Sequence, residues 1–354
     1  MFSKNTLSQL AVLIGLISTT TACQLGYYAH TGYNQGKLLL GRTKIEKALQ
    51  SGNLNEDQKR KLLVAREAKN FAQDQLGLKS NGNYESFVSL DRDAVTYVVQ
   101  VAYADQLKSY KWRFPFIGAV PYKGYFNPEA AKKEADQFPE TEYDTWVRGV
   151  RAYSTLGWFK DPITSPMLSY NEHDLAEVII HELTHTTIYI KDAPEFNERL
   201  ATFIGTEGTV QFYRIKEGEE SPTGKRIKEE QEDLRKFSTF ISKELKDLRA
   251  WYGSHEKDKI RKEKQERIRE IQKRFSTQLK PELKTNIFDG FPKLKLNNAR
   301  LLGYETYVSD LSEFQRLFLA CNKDLRVFIE KIKSLKDSSN PEADLARLAS
   351  SFRL

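Results

Sequence analysis

Cysteine, methionine and histidine are all scarce in this chain of 354 residues, with 2 Cys, 2 Met and 5 His. Two cysteines rule out a disulfide scaffold and a Cys-ligated metal cluster. One of them, Cys321, sits in an amphipathic stretch and reads as a small buried apolar residue. Nothing resembles a phosphate-cradling Gly loop, and no segment repeats. The only long apolar run near either end, Leu7 to Ile17, is too short to span a bilayer. Charge of one sign is also lacking. The net charge of +7 comes from 55 basic and 48 acidic residues that alternate along the chain, forming no basic stripe for nucleic acid, so no nucleic-acid partner is expected.

What is present begins with that terminus. Lys4, the apolar run and the small residues Thr19 to Ala22 before Cys23 have the order of an export signal. A Cys directly after such a tail resembles a bacterial lipoprotein signal, which implies lipid attachment to Cys23 and a membrane partner. Thr20 stands where such signals carry Leu. Gln24, rather than Asp, after the Cys favours the outer membrane, so the expected location is the cell envelope.

Three of the five histidines lie close together, and two of them form His181-Glu182-Leu183-Thr184-His185. The segment from Asp174 to Ile190 has neither Gly nor Pro and repeats apolar residues at helical intervals, which predicts a helix. Imidazoles four residues apart on a helix lie about 40° apart around its axis, so both can grip one ion. Glu182 is then carried beside a water on that ion, the arrangement of a zinc hydrolase.

A third ligand is needed. Asp192, Pro194 and Glu195 read as the capped start of a second helix, making an antiparallel hairpin that turns near Lys191-Asp192. His185 lies six residues before Lys191 and Glu198 six after Asp192, each about 9 Å from the turn at the same level. Glu195 is too near the turn and Glu207 overshoots. Ala201 and Gly205 let the two backbones approach. The expected centre is therefore one Zn2+ held by His181, His185 and Glu198, with Glu182 as base.

Elsewhere the chain predicts an α+β, predominantly helical fold. Residues 36–76 read as a helical pair, Val95 to Ala102 as a strand, and Gly149 to Trp158 as another strand. Within the latter, Tyr153, Ser154 and Thr155 are candidates to bind an extended peptide at a sheet edge. Residues 216–285 are charge-laced, with apolar residues at helical spacing and a break at Gly253-Ser254. They predict a long helical hairpin, an arm that is either structural or a site for a protein partner. A C-terminal helix opening at Asn297 presents Arg300, Tyr304 and Tyr307 as candidate oxyanion donors. Glu172, Asp174 and Glu207 are the nearby acids that could hold a substrate α-ammonium. The expected divisions are a signal at 1–22, a zincin-like catalytic region at 23–215, the arm at 216–285 and a C-terminal helical portion at 286–354.

Taken with Asn197-Glu198, Tyr153 to Trp158, Phe114-Pro115, Pro121 to Phe126 and Asn297 to Leu301, the motif helix resembles a family of bacterial predicted aminopeptidases. Its members look like lipoproteins with one zincin-type domain. The resemblance runs from about Cys23 to the C-terminal helix. It implies a gluzincin-like site with His181, His185 and Glu198 as ligands, Glu182 as base, and a peptide substrate. The rival expectations are a zinc endopeptidase, or a lipid-anchored scaffold with a structural or vestigial zinc site.

Overall fold

The computed structural model describes residues 32–114, 118–152, 160–304 and 310–351. The described residues 32–42 belong to a unit of their own, in which a helix α1 spans 32–40 and Arg42 donates to the Leu39 carbonyl at 2.6 Å. The rest of the chain, from Thr43 on, is the second unit. In it, β1 (Thr43–Lys44) leads into α2 (Ile45–Gln50) and the long α3 (Glu56–Asp74). The expected N-terminal helical pair is thus three helices, interrupted by β1. Asn55 starts α3 with a capping box, accepting from the Gln58 amide while the Gln58 side chain accepts from its own.

Next come β2 (Ser86–Val88), β3 (Thr96–Tyr103), β4 (Trp112–Phe114), β5 (Gly118–Val120), β6 (Tyr122–Tyr125), α4 (Pro128–Ala135), β7 (Tyr143–Val150) and β8 (Ile163–Thr164). β3 is the middle of an antiparallel sheet ordered β6-β3-β7, so β7 is an edge strand. Side chains alternate across a strand. Val99 and Val101 of β3 accordingly pack with Ala131 and Ala135 of α4 on one face, while Ala102 joins a different core on the other. The second sheet, β1-β2-β8, is small, and β4 and β5 form a two-stranded ribbon. The strand expected at Gly149 to Trp158 lies earlier: β7 ends at Val150, and Tyr153, Ser154 and Thr155 fall outside the described residues.

The motif helix is α5 (Glu172–Thr187), followed by α6 (Pro194–Glu217). Asn171 caps α5 by accepting from the Asp174 amide at 2.8 Å. Leu175, Ile179, Ile180 and Leu183 are wholly buried, because α5 lies between α3 and α6 in the larger of the cores. α10 (Ser312–Ala320) and α11 (Leu325–Lys333), reached through the elements below, close that core with Phe314, Leu317, Phe328 and Ile329. α12 (Pro341–Ser351) packs beside α10.

The charge-laced region forms α7 (Pro222–Gly253) and α8 (Lys257–Arg274), divided at the anticipated break. It is not a free-standing arm. Phe237, Ile241, Leu245 and Leu248 of α7 and Ile260, Ile268 and Ile271 of α8 are buried with Ala102 of β3 and with Ala299, Leu301 and Leu302 of α9 (Asn298–Gly303). Lys264 of α8 also binds both oxygens of Asp144 on β7, at 2.9 and 3.0 Å. The apolar stripe that singled the hairpin out is thus spent on a second core, leaving charged faces outward. No helix among the described residues is long and apolar enough to cross a membrane.

Candidate metal centre

The site is built at the α5–α6 hairpin. Helical spacing sets His181 and His185 on one face of α5, where their rings meet edge to face with centroids 4.9 Å apart. The short loop 188–193 returns the chain. Asn197, buried in the first turn of α6, fixes that loop with its side chain: it accepts from the Ile190 amide at 2.9 Å and donates to the Ile190 carbonyl at 2.8 Å. The start of α6 differs from the sequence expectation. Asp192 adopts a left-handed backbone (φ 60°), and the N-cap is Ala193 with no side-chain cap, so Pro194 with its fixed φ opens the helix.

Further along α6, Gly205 lets the helices close up. A Cβ there would sit 3.2 Å from His181 Cβ and 3.3 Å from the Glu177 carbonyl oxygen. Gly208, nearly a turn later, does the same against Ile180. Between them Thr206 donates its hydroxyl to Glu177 at 2.7 Å.

These constraints bring His181, His185 and Glu198 together. Glu198 Oε2 lies 3.5 Å from His181 Nε2, Glu198 Oε1 lies 3.4 Å from His185 Nε2, and the two imidazole nitrogens are 3.2 Å apart. As hydrogen bonds these contacts are long, and the protons of two neutral rings cannot serve all three edges. As edges of a coordination shell they fit: ligands about 2.0–2.1 Å from a tetrahedral ion are about 3.3 Å from one another. The group can hold a metal ion. The His185 side chain is 3% exposed, His181 22% and Glu198 64%, so the group opens to solvent on the Glu198 side, where a water can enter.

Electrostatics follow from the same geometry. The His181 and His185 rings hold the Glu198 carboxyl far below the usual carboxylate range, against the opposing effect of burial. Burial disfavours a charge on His181, but Glu198, Glu182 and Glu177 outweigh it and move its pKa up. Burial also pushes the Glu177 carboxyl up, while the Thr206 hydroxyl pulls the other way. Glu182 follows His181 directly, and its carbonyl accepts from Thr186.

The other candidates fall elsewhere. Arg300 of α9 stacks over the Trp146 ring at 5.3 Å, and Tyr304 packs its ring against Phe237 and Phe291 in the second core. α9 ends at Gly303, so Tyr304 is its C-cap rather than a mid-helix position. Tyr307 and Cys23 lie outside the described residues. Asp174 and Glu172 are in the first turn of α5, and burial raises the pKa of Glu207 on α6. Sequence reasoning misses the anchoring role of Asn197 and the Thr206–Glu177 bond. Only the position of Asn197 beside Glu198 hints at the first.

No curated protein and no solved structure matches this chain in comparisons of sequence and fold. A family does match, over residues 26–346, and its description is "Putative aminopeptidase". That span holds the whole α5–α6 hairpin and the α7–α8 hairpin, and the chain belongs to this aminopeptidase family.

Proposed function

We propose that the protein is a zinc-dependent peptidase acting as an aminopeptidase, with His181, His185 and Glu198 as ligands of one Zn2+ and Glu182 as general base. The convergence of two imidazole nitrogens and one carboxylate, at mutual distances of 3.2–3.5 Å, carries the reading. A bound zinc supplies a Lewis acid and lowers the pKa of water toward neutrality. Glu182 stands next to a ligand on the rigid α5, accepts a proton from the attacking water and delivers it to the leaving amine. Low exposure of His185 keeps one side of the group dry, and exposed Glu198 borders the side from which a peptide arrives. We assign no step to Arg300 or Tyr304, whose ring contacts lie in the second core. A structural zinc site would close with a fourth protein ligand; among the described residues the group has three.

The reading includes export and lipid attachment at Cys23, supported by Lys4, the apolar run and the small residues before it. Glu182→Gln tests the enzyme directly. The variant should keep its zinc and lose hydrolysis by about 10²–10⁴-fold. Peptides with free N-termini should be cut and their N-acetylated forms spared. Equal cutting of both would make the protein an endopeptidase, and unchanged hydrolysis by the variant would remove Glu182 from the mechanism.

A further inference from the structure

Besides the hairpin group, one other set of His and carboxylate side chains among the described residues converges its donor atoms: His173, Asp174 and Glu230. His173 lies eight residues before His181, about 80° around the axis of α5, and Glu230 reaches it from α7. Nε2 of His173 is 2.9 Å from Glu230 Oε2 and 3.5 Å from Asp174 Oδ1. The His173 and Glu230 side chains are only 10% and 14% exposed, with Asp174 half-buried beside them.

The far oxygen of each carboxylate is already engaged. Asp174 Oδ2 accepts from Asn171 Nδ2 at 2.7 Å, and Glu230 Oε1 pairs with Arg226 Nε at 2.9 Å. One oxygen of each is therefore turned to the same imidazole nitrogen. Outer hydrogen bonds that leave one oxygen of each carboxylate aimed at a common point are the usual support of ligating carboxylates.

We propose that His173, Asp174 and Glu230 form a second site for a divalent cation of the zinc class, which clamps α7 to the first turn of α5. An imidazole with two carboxylates selects a borderline ion such as Zn2+ over Mg2+ or Ca2+, which prefer oxygen alone. Binding displaces the imidazole proton and widens the His173–Glu230 edge by a few tenths of an ångström, to the spacing the other edge already has. The eight-residue separation puts this cation about 12 Å along α5 from the first group. That is too far for a two-metal mechanism, whose ions lie about 3.5–4 Å apart. Its role is to hold the α7–α8 hairpin against the motif helix.

The test uses the full-length chain stripped of metal and titrated with Zn2+. With the hairpin group disabled by His185→Gln and Glu198→Gln, one equivalent of Zn2+ should still bind and raise the melting temperature. Adding His173→Gln should abolish both effects. In the otherwise unaltered chain, Glu230→Gln should lower the stoichiometry from two equivalents to one, so the second site is read apart from the first. Stoichiometry and melting shift that are indifferent to His173 and Glu230 would overturn the proposal, leaving an ion pair only.

Discussion

Gly205→Ala sets helix propensity against helix approach. In an isolated helix the change stabilises by about 1 kcal/mol, since alanine loses less backbone freedom. Here the new methyl would stand 3.2 Å from His181 Cβ, 3.3 Å from the Glu177 carbonyl oxygen and 3.5 Å from Glu177 Cγ. The first two are tighter than ordinary contact, and one is backbone, so the helices must separate by a few tenths of an ångström. Overpacking of this kind costs about 1–3 kcal/mol. The net effect on the metal-free protein is then a loss of about 0–2 kcal/mol, read by urea unfolding. Its effect on the centre is larger, because His181 moves away from Glu198 across an edge of 3.5 Å. Misorienting a ligand weakens metal binding by about 10–100-fold, measured by competition with a chelator of known affinity. A variant about 1 kcal/mol more stable than the parent, with unchanged zinc affinity, would refute the close approach of α5 and α6 at this glycine.

Two further substitutions separate the components of the hairpin. Asn197→Ala strands the amide of buried Ile190 and leaves its carbonyl only the 3.4 Å bond from the Ala193 amide; it should cost about 1–3 kcal/mol in denaturant unfolding and weaken zinc binding through displacement of Glu198. A loss below about 0.5 kcal/mol would show that the loop is held by something else. Glu177 carries a pH signature. Its folded pKa lies above its unfolded value, so its contribution is full below the usual carboxylate range, about pH 4, and is lost as pH rises through the raised value. Glu177→Gln keeps an acceptor for Thr206 and removes that loss, so the melting temperature of the variant should gain on the parent as pH rises above about 4. Parallel pH profiles would contradict the assignment.

The motif helix is legible in the sequence because its determinants are local. Asn171 as cap, the apolar spacing of Leu175, Ile179 and Leu183, and the freedom from Gly and Pro all act within one element. Glu198 can be found by counting, since two helices joined by a short turn bring equal distances from that turn to one level. What escapes such reading is tertiary. Asp192 reads as a cap but takes a left-handed backbone, because the loop is shaped by the Asn197 side chain. The hairpin α7–α8 reads as an arm because the partners of its apolar face, Ala102 and Ala299 to Leu302, lie far off in the chain. β7 is hard to place because none of Tyr143 to Val150 is fully buried and alternation sets in only from Val147. Glu230 stands 57 residues from His173, and no local pattern could join them.

The most direct test is a crystal of the zinc-loaded protein measured on both sides of the zinc absorption edge. An anomalous peak is expected about 2.0–2.1 Å from Nε2 of His181, Nε2 of His185 and a carboxylate oxygen of Glu198. A zinc-loaded crystal with no peak between α5 and α6, or with Glu198 turned away from the ion, would contradict the proposed centre.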